Sequence, residues 1–188
     1  MITVIKPWLI WIAGFLSFPL AGITGIVVVG RVDSPLAALA GGLVTGAVIG
    51  AGQALCSSRR LPAPRWIIAS ALGMGFGLLL GATTVGYGTS LGDLALMGLL
   101  TSLVLGPAQA LALPATTQQR VVWGAAVPLL WALGWTVTTL GGIDVGRQFT
   151  VFGAYGAITF SVLSGVLLHL LFPVRVPARP RTRMGSQS

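Results

Sequence analysis

Hydrophobic positions in this chain neither alternate nor recur as one narrow stripe. They form six long runs, at 8–29, 35–56, 65–84, 93–113, 121–140 and 150–172. Each is close to the roughly 20 residues that a helix needs to cross a hydrocarbon layer. Between them lie short polar stretches with turn-forming residues, at 31–34, 59–62, 87–90 and 141–144. The pattern predicts an all-α fold, an integral membrane bundle of six transmembrane helices over residues 1–172. The remaining segment, 173–188, alternates proline with arginine and cannot bury a core, so a disordered cytoplasmic tail is expected there.

Composition agrees with lipid as the solvent. Hydrophobic residues make up 55% of the chain and charged residues only 7%, against about a quarter in ordinary soluble domains. Residues 1–25 have one lysine before an apolar stretch and no convincing small-x-small cleavage site, and read as the first membrane helix. The single cysteine, Cys56, excludes an intrachain disulfide and a multi-cysteine metal site.

The net charge of +8 is unevenly placed. When alternate connections are assigned to opposite sides, Lys6, Arg59, Arg60, Arg65, Arg120, Arg175, Arg179, Arg181 and Arg183 fall together. Arg31 and Arg147 fall on the other side with all three acids, Asp33, Asp93 and Asp144. The positive-inside bias then places both termini in the cytoplasm. A bacterial cytoplasmic membrane is the expected location. Anionic lipid headgroups are the expected partners of the tail arginines, and a homo- or hetero-oligomer is compatible with the chain; nucleic acid is not expected.

Residues 42–55 align with 98–111 through Gly42/Gly98, Leu43/Leu99, Thr45/Thr101, Val48/Val104, Gly50/Gly106, Gln53/Gln109, Ala54/Ala110 and Leu55/Leu111. After a one-residue shift, Trp66 and Gly77 match Trp123 and Gly134, and Trp11 and Gly22 keep the same spacing. A weaker third copy places Gly165 with Gly50 and Gly106, but Leu168 where the glutamine stands. The chain is therefore expected to consist of tandem helix hairpins in parallel orientation, related by an axis along the membrane normal. Gly50-Ala-Gly-Gln53 followed by Arg59, Arg60 and Trp66, and Gly106-Pro-Ala-Gln109 followed by Arg120 and Trp123, resemble a pattern in uncharacterised bacterial multi-pass membrane proteins. The second copy lacks the early arginine pair. The resemblance covers about the middle half of the chain and implies a membrane location, with no activity attached.

Small residues recur every four positions: Gly42, Gly46 and Gly50 in the second run, Gly73, Gly77 and Gly81 in the third, and Gly98, Ser102 and Gly106 in the fourth. This spacing makes a groove along one helix face and predicts packing seams. A bulky replacement at Gly50 is expected to destabilise the fold far more than one at Gly30, which falls at a helix end. Gln53, Gln109 and His169 fall at similar depth, and are read either as a polar cluster able to bind a solute or as interhelical hydrogen bonds plus an interfacial histidine. Trp8, Trp11, Trp66 and Trp123 are expected as anchors at the headgroup level. Trp131 and Trp135 are expected to supply bulk, or a stacking surface, beside a kink at Pro128.

No Asp, Glu, Lys or Arg is expected near the middle of a span, which disfavours a proton relay or a charge-paired ion site. Ser161, Ser164 and His169 do not make a hydrolase: Ser164 and His169 lie about 140° apart around one helix. Neither metal clusters nor cofactor-binding signatures are present, so no catalytic residue, metal or cofactor is expected and the chain is not expected to be an enzyme. Two classes remain, a transport component for a neutral or weakly polar solute and an assembly subunit packing through small-residue faces. A continuous polar cavity between repeats would favour the first and an exposed small-residue stripe the second.

Overall fold

A computed structural model describes residues 2–145 and 154–173. Helices α1 (Ile2–Ala13) and α2 (Ser17–Val29) form the first span, joined by a 3-10 turn at Gly14–Leu16. The others are α3 (Pro35–Cys56), α4 (Ala63–Thr84), α5 (Leu91–Ala112), α6 (Thr117–Leu140) and α7 (Ala154–Leu171), with no strand among the described residues. Six helical segments are long and apolar enough to cross a membrane, the first being Ile5–Val29. The outward faces carry large apolar side chains such as Leu55 and Leu111, 84% and 75% exposed, which only lipid would shelter. The chain is a multi-pass membrane protein with an all-α bundle.

Local chemistry explains where the helices start and break. Pro19 has no N–H to offer Phe15, and its ring crowds that carbonyl, so the first span breaks into a 3-10 turn just before it. The Ser17 hydroxyl donates to the Gly14 carbonyl at 2.7 Å and steadies the break. Ser34 caps α3, accepting from the Ala37 N–H. Reciprocal capping boxes start α5, through Ser90 and Asp93, and α6, through Thr116 and Gln119. By contrast α6 runs on through Pro128 as one helix.

The six spans form a ring. Each packs against its neighbours in sequence, and α7 returns to the first span; the backbones of α4, α5 and α6 come close to no others among the described helices. Glycines line every seam. A methyl group added at Gly42 would lie 2.6 Å from the Met74 carbonyl oxygen on α4, and one at Gly50 would lie 2.8 Å from Ser70 Cβ. Gly46 approaches the Ser70 carbonyl oxygen still more closely. The stripe on α4 faces α5: Gly73 meets Leu105, Gly77 meets the Thr101 carbonyl oxygen, and Gly81 meets that of Met97 at 2.6 Å. On α5, Gly98 faces Trp135 and Gly106 faces the Gly124 carbonyl oxygen at 2.7 Å, both on α6. Ser102, fully buried, turns its hydroxyl back to the Gly98 carbonyl. Gly134 and Gly156 join α6 to α7, and Gly165 of α7 accepts Trp8 and Trp11 of α1. Without side chains at these points the backbones approach closely, which is how helices gain packing energy in lipid.

Gly30 lies in open space but is constrained in a way its place at a helix end does not reveal. It stands at φ +71° and ψ −136°, a conformation reserved for glycine, so the tight exit from α2 and not local crowding makes it intolerant of a side chain. The tail from 174 onward lies outside the described residues.

Candidate functional site: a one-sided cavity over a tryptophan and glutamine floor

In a six-helix ring whose described backbones do not meet across the middle, the axis must be filled by side chains or left open. Its two halves do one each. The terminal half lies toward the face that carries the start of α1 and the end of α7; the mouth half lies toward the connections after α2, α4 and α6.

In the terminal half, Trp66 and Trp123 are fully buried, their rings edge-to-face at 5.6 Å and 68°. The Trp66 indole N–H donates to Gln53 Oε1 at 3.1 Å, and that of Trp123 donates to Gln109 Oε1 at 3.3 Å. Gln109 Nε2 donates in turn to Ser70 Oγ at 3.0 Å. The two glutamines are thus joined through the tryptophan pair, on four successive helices. Trp11 is also buried, and donates to Ser164 Oγ at 3.2 Å. The expected headgroup position of these three tryptophans is corrected: each sits inside the ring because its helix turns it toward the buried face, where its N–H has a partner.

His169 does not join them. It lies half-buried on α7, hydrogen-bonded to neither glutamine, with its Nδ1 buried and unpartnered. Ser70 and Ser164, which complete the polar contacts, were not singled out as partners by sequence. The signal was present in the Gln-to-Trp separation, 13 residues in one hairpin and 14 in the other.

Above this floor the mouth half encloses a cavity of about 440 Å³. Phe18, Ile49, Met74 and Trp131 line its deep end, and Phe18 and Trp131 contact at 5.9 Å. Leu78, Ala82, Met97, Ile26 and Trp135 form the walls, and Arg31, Asp33, Tyr87 and Thr89 stand at the mouth. Ile49 and Gln53 are one helical turn apart, so cavity and floor are stacked directly.

Two threonines on the wall offer little to a ligand. Thr45 donates its hydroxyl to the Gly41 carbonyl at 2.8 Å. The Thr101 hydroxyl is buried without a hydrogen-bond partner, tucked toward Gly81 of α4. Tyr87 is distinctive in its backbone: φ is +61°, an uncommon conformation for a residue with a Cβ. The turn after α4 holds it there, its N–H bonded to the Ala82 carbonyl at 2.9 Å. Beyond the spans at the terminal face, Arg60 donates through Nε to the Ser57 carbonyl at 2.8 Å, and burial pushes its pKa down. The described residues contain no group of three or more His, Cys, Asp or Glu suited to hold a metal.

Comparison with protein families, with curated proteins and with solved structures found no match. Function rests on the geometry alone.

Proposed function

We propose that this protein is a transport component that admits a neutral or weakly polar solute from the mouth face into the ring. The observation that carries the reading is the cavity, open on one side and stopped halfway by the Trp66–Trp123 pair with its glutamines. A half-access pathway ending in a polar, hydrogen-bonded constriction is a geometry suited to facilitation or to the membrane part of a larger transporter. The assembly reading loses its main support, since the glycine stripes are spent on seams within the ring.

Matched contacts support a tandem-repeat origin for the ring. Gly50 meets Ile67 and Ser70 while Gly106 meets Gly124 and Val127, and α3 and α5 each bring a glutamine to the tryptophan of the next helix. Where the third copy has Leu168 in place of glutamine, Trp11 turns to Ser164 instead. The charge segregation orients the mouth to the outside and the Arg59–Arg60 connection to the cytoplasm of a bacterial cell.

Two measurements test this. With Cys56 replaced, a cysteine at Thr89 should react with an impermeant reagent added to intact cells and one at Arg59 should not; the opposite result overturns the orientation. Proteoliposomes should pass small neutral solutes faster than empty vesicles, and Leu78→Trp should abolish the excess. Equal flux with and without protein across a panel of neutral solutes would remove the transport reading.

A further inference from the structure

Resting on the cavity reading above, the geometry points to the class of molecule that occupies it: we infer that the site takes an uncharged amphiphile, with an apolar body in the ring and one hydrogen-bonding head at Tyr87. The polarity of the lining runs in one direction. Apart from the indole N–H of Trp131 the deep end is apolar, and two aromatic rings and Met74 meet there. Methionine and ring faces adapt to irregular carbon frameworks. A volume of about 440 Å³ lies in the lower part of the roughly 300–1,000 Å³ found for small-molecule sites.

Nothing inside meets a charge. Among the described residues, the ionisable side chains on the lining are Arg31, Asp33 and Tyr87, all at the mouth. Arg31 is already engaged within the protein, and it shares the rim with Asp33. Below the rim the threonine hydroxyls are turned to the Gly41 carbonyl and toward Gly81. A charged head drawn inside would lose its hydration and find no opposite charge to replace it.

The head therefore belongs at the mouth, where Tyr87 is the fixed polar group. Its backbone is locked by the Ala82 carbonyl on one side, and on the other Gly88 abuts the Asp93 carboxylate of the α5 capping box. A backbone fixed by the turn in this way anchors Tyr87 at the mouth.

The test uses the full chain in lipid nanodiscs and three photoreactive probes that share a ten-carbon diazirine chain: the alcohol, the carboxylate and the trimethylammonium compound. Labelled residues are mapped by mass spectrometry. The alcohol should label Met74, Leu78 or Met97 with saturation, about tenfold more strongly than either charged congener. Leu78→Trp, or Met97→Trp if the first variant does not fold, should abolish that labelling, and Tyr87→Phe should weaken it about fivefold.

Labelling confined to the outward-facing Leu72 and Phe76 would mean that the chain sits only in the surrounding lipid, and would overturn the inference. So would charged probes labelling the cavity as strongly as the alcohol. Cavity labelling without flux would leave this inference standing and remove transport; flux of a solute that fails to compete with the alcohol would do the reverse.

Discussion

The two halves of the ring share the same helices and the same kind of glycine seam, yet one is solid and the other hollow. The terminal half brings two tryptophans and two glutamines to the axis, each polar atom of the indoles matched to an amide oxygen. The mouth half brings Gly25, Ala21, Ala82 and Thr45 to the same axis from the same spans. Ring geometry thus sets how closely helices approach, and the size of the inward side chains then decides whether the space between them is core or cavity. The energetic consequence is an asymmetry: substitutions on the axis should be costly below the floor and cheap above it.

The largest break in that contrast is expected at the floor itself. Trp123→Ala removes a fully buried ring, its contact with Trp66 and the hydrogen bond to Gln109, and should cost about 3–5 kcal/mol in a detergent or bicelle unfolding titration. A loss no greater than that of an outward-facing leucine would mean that the floor contributes nothing to the fold.

Next come the seams, which should be equally intolerant in both halves. Gly77→Leu would drive a side chain into the Thr101 carbonyl and should cost roughly 1–3 kcal/mol or prevent folding. The control is Gly92→Leu on the exposed first turn of α5, where no neighbour lies closer than 4.0 Å, and its effect should stay within about 0.5 kcal/mol. Comparable melting temperatures for the two variants would sink the ring geometry.

The third test separates glue from function at the floor. Gln109→Leu strands the Trp123 N–H and the Ser70 hydroxyl, and should cost about 0.6 kcal/mol, at most about 2. If flux through the variant changes while its stability holds, the glutamine serves the pathway; if stability falls and the folded fraction behaves as before, it is a packing bond. The smallest effect is expected in the hollow half. Thr101→Val replaces an unpartnered buried hydroxyl with a methyl group of the same shape, so stability should be unchanged or slightly higher. A marked loss would show that this hydroxyl has a partner in the membrane.

Spans, their number and the small-residue faces were legible because each is a one-dimensional pattern: run length gives the span, and a four-residue period gives a helix face. The role of Trp66 was legible in principle. It continues the face of Ser70, Gly73, Gly77 and Gly81, all buried, so the period that located the seam also turns the indole inward. Depth alone, which suggests a headgroup anchor, misplaces it. The break at Gly14–Leu16 follows from Pro19 by the same local logic, while Pro128 causes no break in α6. The cavity was not legible. It is a deficit of volume summed over five helices, and no single residue or spacing encodes it. Tyr87 was likewise hidden, since its left-handed backbone depends on how the turn after α4 closes, not on the identity of the residue.

The seam at Gly165 sets an order on how the protein can be made. Every other backbone seam in the ring joins spans that leave the ribosome one after the other, so each can form while synthesis continues. The contact of Trp8 and Trp11 with α7 joins the first span to the last described one, and must wait until almost the entire chain has been inserted. Until then the first span has one flank without its mate, and the Trp11 indole has no serine to bond. Closure of the ring is therefore the slowest-born interface, and the stage at which an insertion chaperone or quality-control protease would find an unfinished molecule.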